Sequence, residues 1–101
     1  MTKTTRWTVP LDHPAFAGHF PGTPILPGVL LLDVVLHSIA AATGLAPERC
    51  TLISVKFLGP AGPGDELEIA HSVEASGTIR FKVVAGARSI ASGSIAPGSP
   101  P

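Results

Sequence analysis

One cysteine, no tyrosine, one methionine, one tryptophan and a charged fraction of only 14% mark this sequence by what it lacks. The single thiol, Cys50, excludes an intramolecular disulfide framework and any multi-cysteine metal site, and it fits a reducing, cytoplasmic setting. Seven basic and seven acidic side chains cancel. A broad polycationic surface, and with it a nucleic-acid partner, is therefore not expected. Long hydrophobic runs are missing too. The longest, residues 29–42, is interrupted by Asp33, His37 and Ser38 and falls short of the about 20 apolar residues that cross a bilayer. The opening Met1–Trp7 segment has charges but no apolar stretch behind them, so no signal peptide and no membrane attachment are expected.

What is present points to one packed domain. The chain has 101 residues, 45% of them hydrophobic, and a mean hydropathy of +0.40, which excludes a disordered, solvating chain. Residues 1–96 are expected to form a single domain and 97–101 (Pro-Gly-Ser-Pro-Pro) a disordered tail. Four Phe and one Trp supply a modest core. A small domain with a nearly all-apolar helix is expected to finish burying its surface by self-association.

Periodicity assigns the elements. Residues 1–10 read as a first strand, with Trp7 and Val9 on one face and Arg6 and Thr8 on the other. Residues 11–28 form a loop rich in proline and glycine, and a loop of that length is usually functional. A helix follows between Pro27, whose missing N–H is harmless at a helix start, and Gly44, suited to a left-handed stop. It is apolar around nearly its whole circumference, which predicts a helix wrapped by other structure. Ile53, Val55 and Phe57 then alternate with polar residues, as do Leu67, Ile69 and Val73, and Ile79, Phe81 and Val83, with a weaker strand near 89–95. This pattern predicts an α+β domain, an antiparallel sheet curled around one long helix.

Polar residues that break these patterns are the candidates for chemistry. Asp33 and His37 lie four apart in the helix, on one stripe with Val29. Helix position alone favours a structural hydrogen-bonded pair; the sharper alternative is a catalytic carboxylate that burial among Leu30, Leu32 and Val34 keeps protonated. His19 stands in the rigid Gly18-His19-Phe20-Pro21-Gly22 loop, a place for a general base or for a surface histidine. The helix start at Gly28 and Val29 offers free backbone N–H groups to a developing oxyanion, as every helix start does. His71, on the face of Leu67 and Ile69, reads as an inner-face histidine. His13 reads as a loop residue, and Cys50 as a small hydrophobe. A metal ion on His19, Asp33 and His37 lacks a further ligand, so no metal and no cofactor are expected.

The run from His13 to Asp33, containing Gly-His-Phe-Pro-Gly and Pro27-Gly28-Val29-Leu30, resembles the hotdog-fold 3-hydroxyacyl-acyl-carrier-protein dehydratases, whose signature has the form GHFPGxPxxPGVLxxE. Pro63-Gly64-Asp65 is similar to a later turn of that family, and the resemblance covers roughly residues 5–95. It implies a hotdog fold, a homodimer with joined sheets, and active sites at the interface where His19 of one chain meets Asp33 of the other. It also implies a substrate carried as a thioester on an acidic acyl carrier protein, docked by some of Arg6, Arg49, Lys56, Arg80, Lys82 and Arg88. Asp33 stands where the commoner branch has Glu, His37 where Gln is usual, and the chain is shorter than most relatives, as in compact stand-alone members of polyene or secondary-metabolite pathways. The implied reaction is dehydration to the trans-2-enoyl thioester. His19 would act as base, the Gly28 amide (with Val29) as oxyanion donor and Asp33 as acid, with His37 in the site network. An acyl thioesterase and a non-catalytic acyl-binding partner subunit are the alternatives on the same fold.

Overall fold

The computed structural model describes residues 2–12 and 25–98. Five strands, β1 (Thr2–Thr8), β2 (Thr51–Phe57), β3 (Glu66–Val73), β4 (Ile79–Ala85) and β5 (Arg88–Ala96), pair antiparallel in the order β1-β3-β4-β5-β2. One helix, α1 (Gly28–Thr43), precedes β2, and a short 3-10 turn at Pro47–Arg49 joins them. The α+β arrangement of one helix and an antiparallel sheet is the one expected. No helix among the described residues is long and apolar enough to cross a membrane. The expected loop over 11–28 falls largely on residues outside those described, as do His13 and His19.

Helix α1 stops where glycine permits it. Gly44 has φ 77°, and its N–H donates to the Ala40 carbonyl at 2.8 Å, closing the last turn in a conformation that costs a side-chain-bearing residue about 1–2 kcal/mol. The helix buries Leu31, Val35 and Ile39, spaced by four, into a cluster with Leu67, Ile69, Ile79, Phe81 and Val83 from the inner sheet face. Each such side chain contributes about 1.5–3 kcal/mol when fully buried.

Two expectations need correction. The helix is not wrapped on all sides by its own chain, because Val29, Asp33, His37 and Ala41 form an exposed stripe opposite the buried one. A single sheet covers a single helix face, and within these residues no second layer lies beyond the helix. The Ile53, Val55, Phe57 alternation also fails as a buried face. The ladder with β5 shifts register between Leu52 and Ser54, which leaves Ile53 as the extra residue of a bulge. Leu52 and Val55 are half-buried, while Ile53 and Phe57 are 55% and 53% exposed on this edge strand.

Of the two buried polar residues among those described, His71 and Ser94, His71 is the titratable one. It is buried on β3 opposite Lys3 of β1, and its Nδ1 has no hydrogen-bond partner among the described residues. Burial pushes its pKa below the usual 6.5, and the Lys3 ammonium adds to that. The folded state thus resists a proton that the unfolded chain accepts. This contribution to stability is complete above about pH 6.5 and falls away as the pH drops below that value. His71→Leu is expected to flatten the decline of stability between pH 7 and pH 5, read as urea midpoints. An undiminished slope would remove His71 as its cause.

Candidate active site

The start of α1 is held by the turn that follows β2. The Leu26 N–H donates to the Ala61 carbonyl at 2.7 Å, which fixes the chain two residues before Gly28. That turn is itself braced by Asp65. Its Oδ2 accepts from the Gly62 N–H at 2.8 Å and from Arg88 Nη2 at 2.9 Å, while Arg88 Nη1 donates to the Pro60 carbonyl at 3.1 Å. The Gly62 N–H bond first, and Arg88 after it, hold the Asp65 carboxyl below its ordinary pKa against the opposing effect of burial. Reciprocal bonds between Val9 and the Gly64–Asp65 pair tie in the end of β1. The sequence shows Pro63-Gly64-Asp65 as a turn. That Arg88 completes a clamp on the helix entry follows only from the return of β5 beside it.

The clamp presents the helix start in a defined setting. The first intrahelical bonds run from the N–H groups of Leu30 and Leu31 to the Pro27 carbonyl, both at 3.1 Å. The N–H groups of Gly28 and Val29 precede that ladder, so the helix supplies them no acceptor. The Phe57 ring at the end of β2 lies over Gly28 so closely that a Cβ there would stand 2.8 Å from Phe57 Cζ. Glycine at 28 therefore lets an aromatic wall approach the amides, a feature sequence reasoning missed.

One turn after Val29, the Asp33 carboxylate joins the same exposed stripe, with a side chain 65% exposed. The expected burial of Asp33 among Leu30, Leu32 and Val34 is not met within one chain. Those residues point toward the flanks of the core, and Asp33 points away from the sheet. His37 Nδ1 lies 2.8 Å from the Asp33 carbonyl and 3.3 Å from Asp33 Oδ1. A cavity of about 260 Å³ adjoins the pair, lined by Asp33, Leu36, His37, Pro47 and Glu48. The structure thus brings Val29, Asp33 and His37 onto one helix face, with Gly28 at the helix start beside it, while His19 lies outside the described residues. Among the described residues no three His, Cys, Asp or Glu side chains gather as a metal site.

A family model for ApeI-like proteins, described as ApeI dehydratase, matches residues 1–94. The chain belongs to the ApeI-like dehydratase family. Among curated proteins, this ApeI-like chain is similar to the 3-hydroxyacyl-[acyl-carrier-protein] dehydratase FabZ of Sodalis glossinidius, 39% identical over 88 residues, covering 76% of this chain and 58% of the relative. It is likewise similar to FabZ of Anaeromyxobacter, 40% identical over 73 residues, covering 61% and 46%. The chain spans about half the length of the curated relatives it matches, 46% to 59%. Among solved structures, the dehydratase heterocomplex ApeI:P from Xenorhabdus doucetiae matches with a TM-score of 0.77 at 28% identity, over 97% of this chain and 88% of that one. The fluoroacetyl-CoA thioesterase FlK matches at 0.71 and 20% identity, over 94% and 83%, which shows the shared hotdog fold alone.

The clamp generates a direct expectation for this ApeI-like chain. Asp65→Ala removes the acceptor of the half-buried Gly62 N–H and the partner of the exposed Arg88, which keeps the Pro60 carbonyl, and should destabilise the fold by about 1 kcal/mol. The lowered carboxyl pKa adds a sign: the contribution is present above the ordinary value near 3.8 and disappears as the pH falls through the folded-state value. Urea unfolding of both proteins at pH 7 and at successively lower pH below 3.8 checks this, the difference being large at the first and shrinking as the pH falls.

Proposed function

We propose that the chain dehydrates a 3-hydroxyacyl thioester borne by an acyl carrier protein, giving the trans-2-enoyl thioester and water. The observation that carries this reading is the exposed helix stripe on which the Asp33 carboxylate stands one turn after Val29, beside the helix-start amides of Gly28 and Val29 to which the helix supplies no acceptor, in a chain whose residues 1–94 match the ApeI-like dehydratases. The thioester carbonyl acidifies the α-carbon, and the β-hydroxyl is a poor leaving group until protonated. His19 takes the α-proton. The electron pair moves onto the thioester oxygen, where the Gly28 amide, seconded by Val29 at the positive end of the helix, accepts the charge. One such donor is worth on the order of 3 kcal/mol. Collapse of the enolate restores the carbonyl and forms the Cα=Cβ bond. The β-oxygen departs with a proton from Asp33 as water, and His19 and Asp33 exchange the proton back through solvent. His37, bonded to the Asp33 backbone, positions that carboxyl.

Asp33 delivers a proton only as the neutral acid, and a carboxyl is held neutral more readily where water is excluded. The exposure of the stripe in a single chain therefore calls for a second chain over it. We infer that a copy of this chain provides that cover. The sheets would join along the free edge of β2, and His19 of one copy would serve Asp33 of the other. Support comes from the exposed Val29, Ile53 and Phe57, 77%, 55% and 53% accessible, gathered between the helix stripe and an unpaired strand edge.

Turnover is followed by ultraviolet absorbance of the enoyl product and by a thiol reagent. His19→Ala and Asp33→Asn should each lose at least about a hundredfold in enoyl formation while keeping the circular dichroism of the parent. Near-parental rates in Asp33→Asn would remove it from the mechanism, and thiol release without enoyl product would make the protein a thioesterase. Ile53→Arg should shift sedimentation from dimer to monomer and abolish turnover. A parent that sediments as a monomer and gains activity only with a second hotdog chain would replace the homodimer with a heterocomplex.

A further inference from the structure

The sheet face turned away from α1 carries a feature that the dehydration does not use. Strand pairing sets Lys56, Ser92 and Lys82 in one row across β2, β5 and β4, and Ser54, Ser94 and Arg80 in the next. With strands about 4.8 Å apart, the two lysine stems rise about 10 Å from each other on either side of a serine. In the second row, Ser54 Oγ and Ser94 Oγ lie 3.0 Å apart. A cavity of about 390 Å³ opens beside these rows, its polar lining supplied by Ser54, Lys56, Arg80 and Ser92; Lys82, the register partner of Ser92, is not part of that lining.

Arg6 is paired with Glu66 and Glu68, and Arg88 with Asp65. Arg80 keeps an exposed pair with Glu74 at 2.8 Å, whereas Lys56 and Lys82, like Lys3 and Arg49, have no carboxylate within 4.0 Å among the described residues. Like charges gathered on one sheet face repel, and nothing in the packing requires them there. Serine hydroxyls, a lysine ammonium and a guanidinium around one opening form a donor set for a compact group with several anionic oxygens.

We propose that this trough binds a phosphoryl group. Lys56 immediately precedes Phe57, whose ring lies over Gly28. The trough therefore adjoins the end of β2, past which an extended arm could turn toward the helix start. The phosphodiester of the substrate's own phosphopantetheine arm and a free phosphoryl compound share this chemistry. The first source rests on the reaction proposed above; the second does not.

Inorganic phosphate titrated into isotope-labelled protein should shift the amide signals of Ser54, Lys56, Lys82 and Ser92 saturably. The double variant Lys56→Gln/Lys82→Gln should weaken that binding about tenfold, and the ion-paired control Arg6→Gln should leave it unchanged. No saturable shift, or equal binding in the double variant, overturns the site. In a second measurement, 3-hydroxyacyl thioesters of phosphopantetheine and of pantetheine are compared as substrates. A KM about tenfold lower for the phosphorylated one, lost in the double variant with kcat kept, supports the trough as the seat of the substrate's arm. Equal KM values with phosphate binding intact assign it to a free phosphoryl compound. Turnover of neither thioester overturns the proposed reaction, and the phosphate titration then decides on the trough by itself.

Discussion

The seating of Leu31, Val35 and Ile39 in the cluster with Leu67, Ile69 and Phe81 sets the orientation of every other residue of the helix. Once these three side chains point into the sheet, the 3.6-residue period drives Val29, Asp33, His37 and Ala41 outward along the opposite stripe. The carboxylate of the candidate site is thus aimed by apolar packing elsewhere on the helix. Its exposure in one chain is a consequence of the same packing. One sheet covers one face, and the residues left over are those that a second chain would meet.

The other end of the arrangement depends on backbone and charge-assisted hydrogen bonds. Leu26 on Ala61, Gly62 and Arg88 on Asp65, and Gly64 on Val9 bring the segment before the helix, the turn after β2, the start of β5 and the end of β1 to one place. A helix start is a generic anion site only when something fixes what faces it. Here the clamp sets the chain direction at Pro27, and the Phe57 ring over Gly28 supplies an apolar wall beside the amides. The pairing of a neutral, buried His71 with Lys3 at the far end of the inner face shows the reverse case, a polar group tolerated at a cost that grows in acid.

Much of the fold was legible. Alternation located the strands, and the Pro27 to Gly44 bracket located the helix because proline and glycine act through local backbone geometry. Ile53 misled because a bulge changes which face a residue occupies without changing the alternation of residue types, and Phe57 because an edge strand leaves even an inner-face side chain half open. The all-apolar look of α1 suggested full wrapping for a related reason: composition records how much surface prefers burial, and does not record which chain buries it. Arg88 stood in the sequence only among the cations that could dock a carrier protein, and became part of the clamp when β5 returned beside the turn at Pro63.

By itself, then, the sequence determined the local elements, the spacing of Asp33 and His37 on one stripe, and the glycines that let the helix start be approached and its end be closed. Each of these rests on dihedral preferences and periodicities that act within a few residues. The tertiary structure alone decided that Asp33 faces outward, that Phe57 covers Gly28, that Asp65 and Arg88 hold the helix entry, and that Lys56 and Arg80 line one opening with Ser54 and Ser92. Those facts depend on strand order and register, which join residues tens of positions apart through hydrogen bonds and burial that no local pattern encodes.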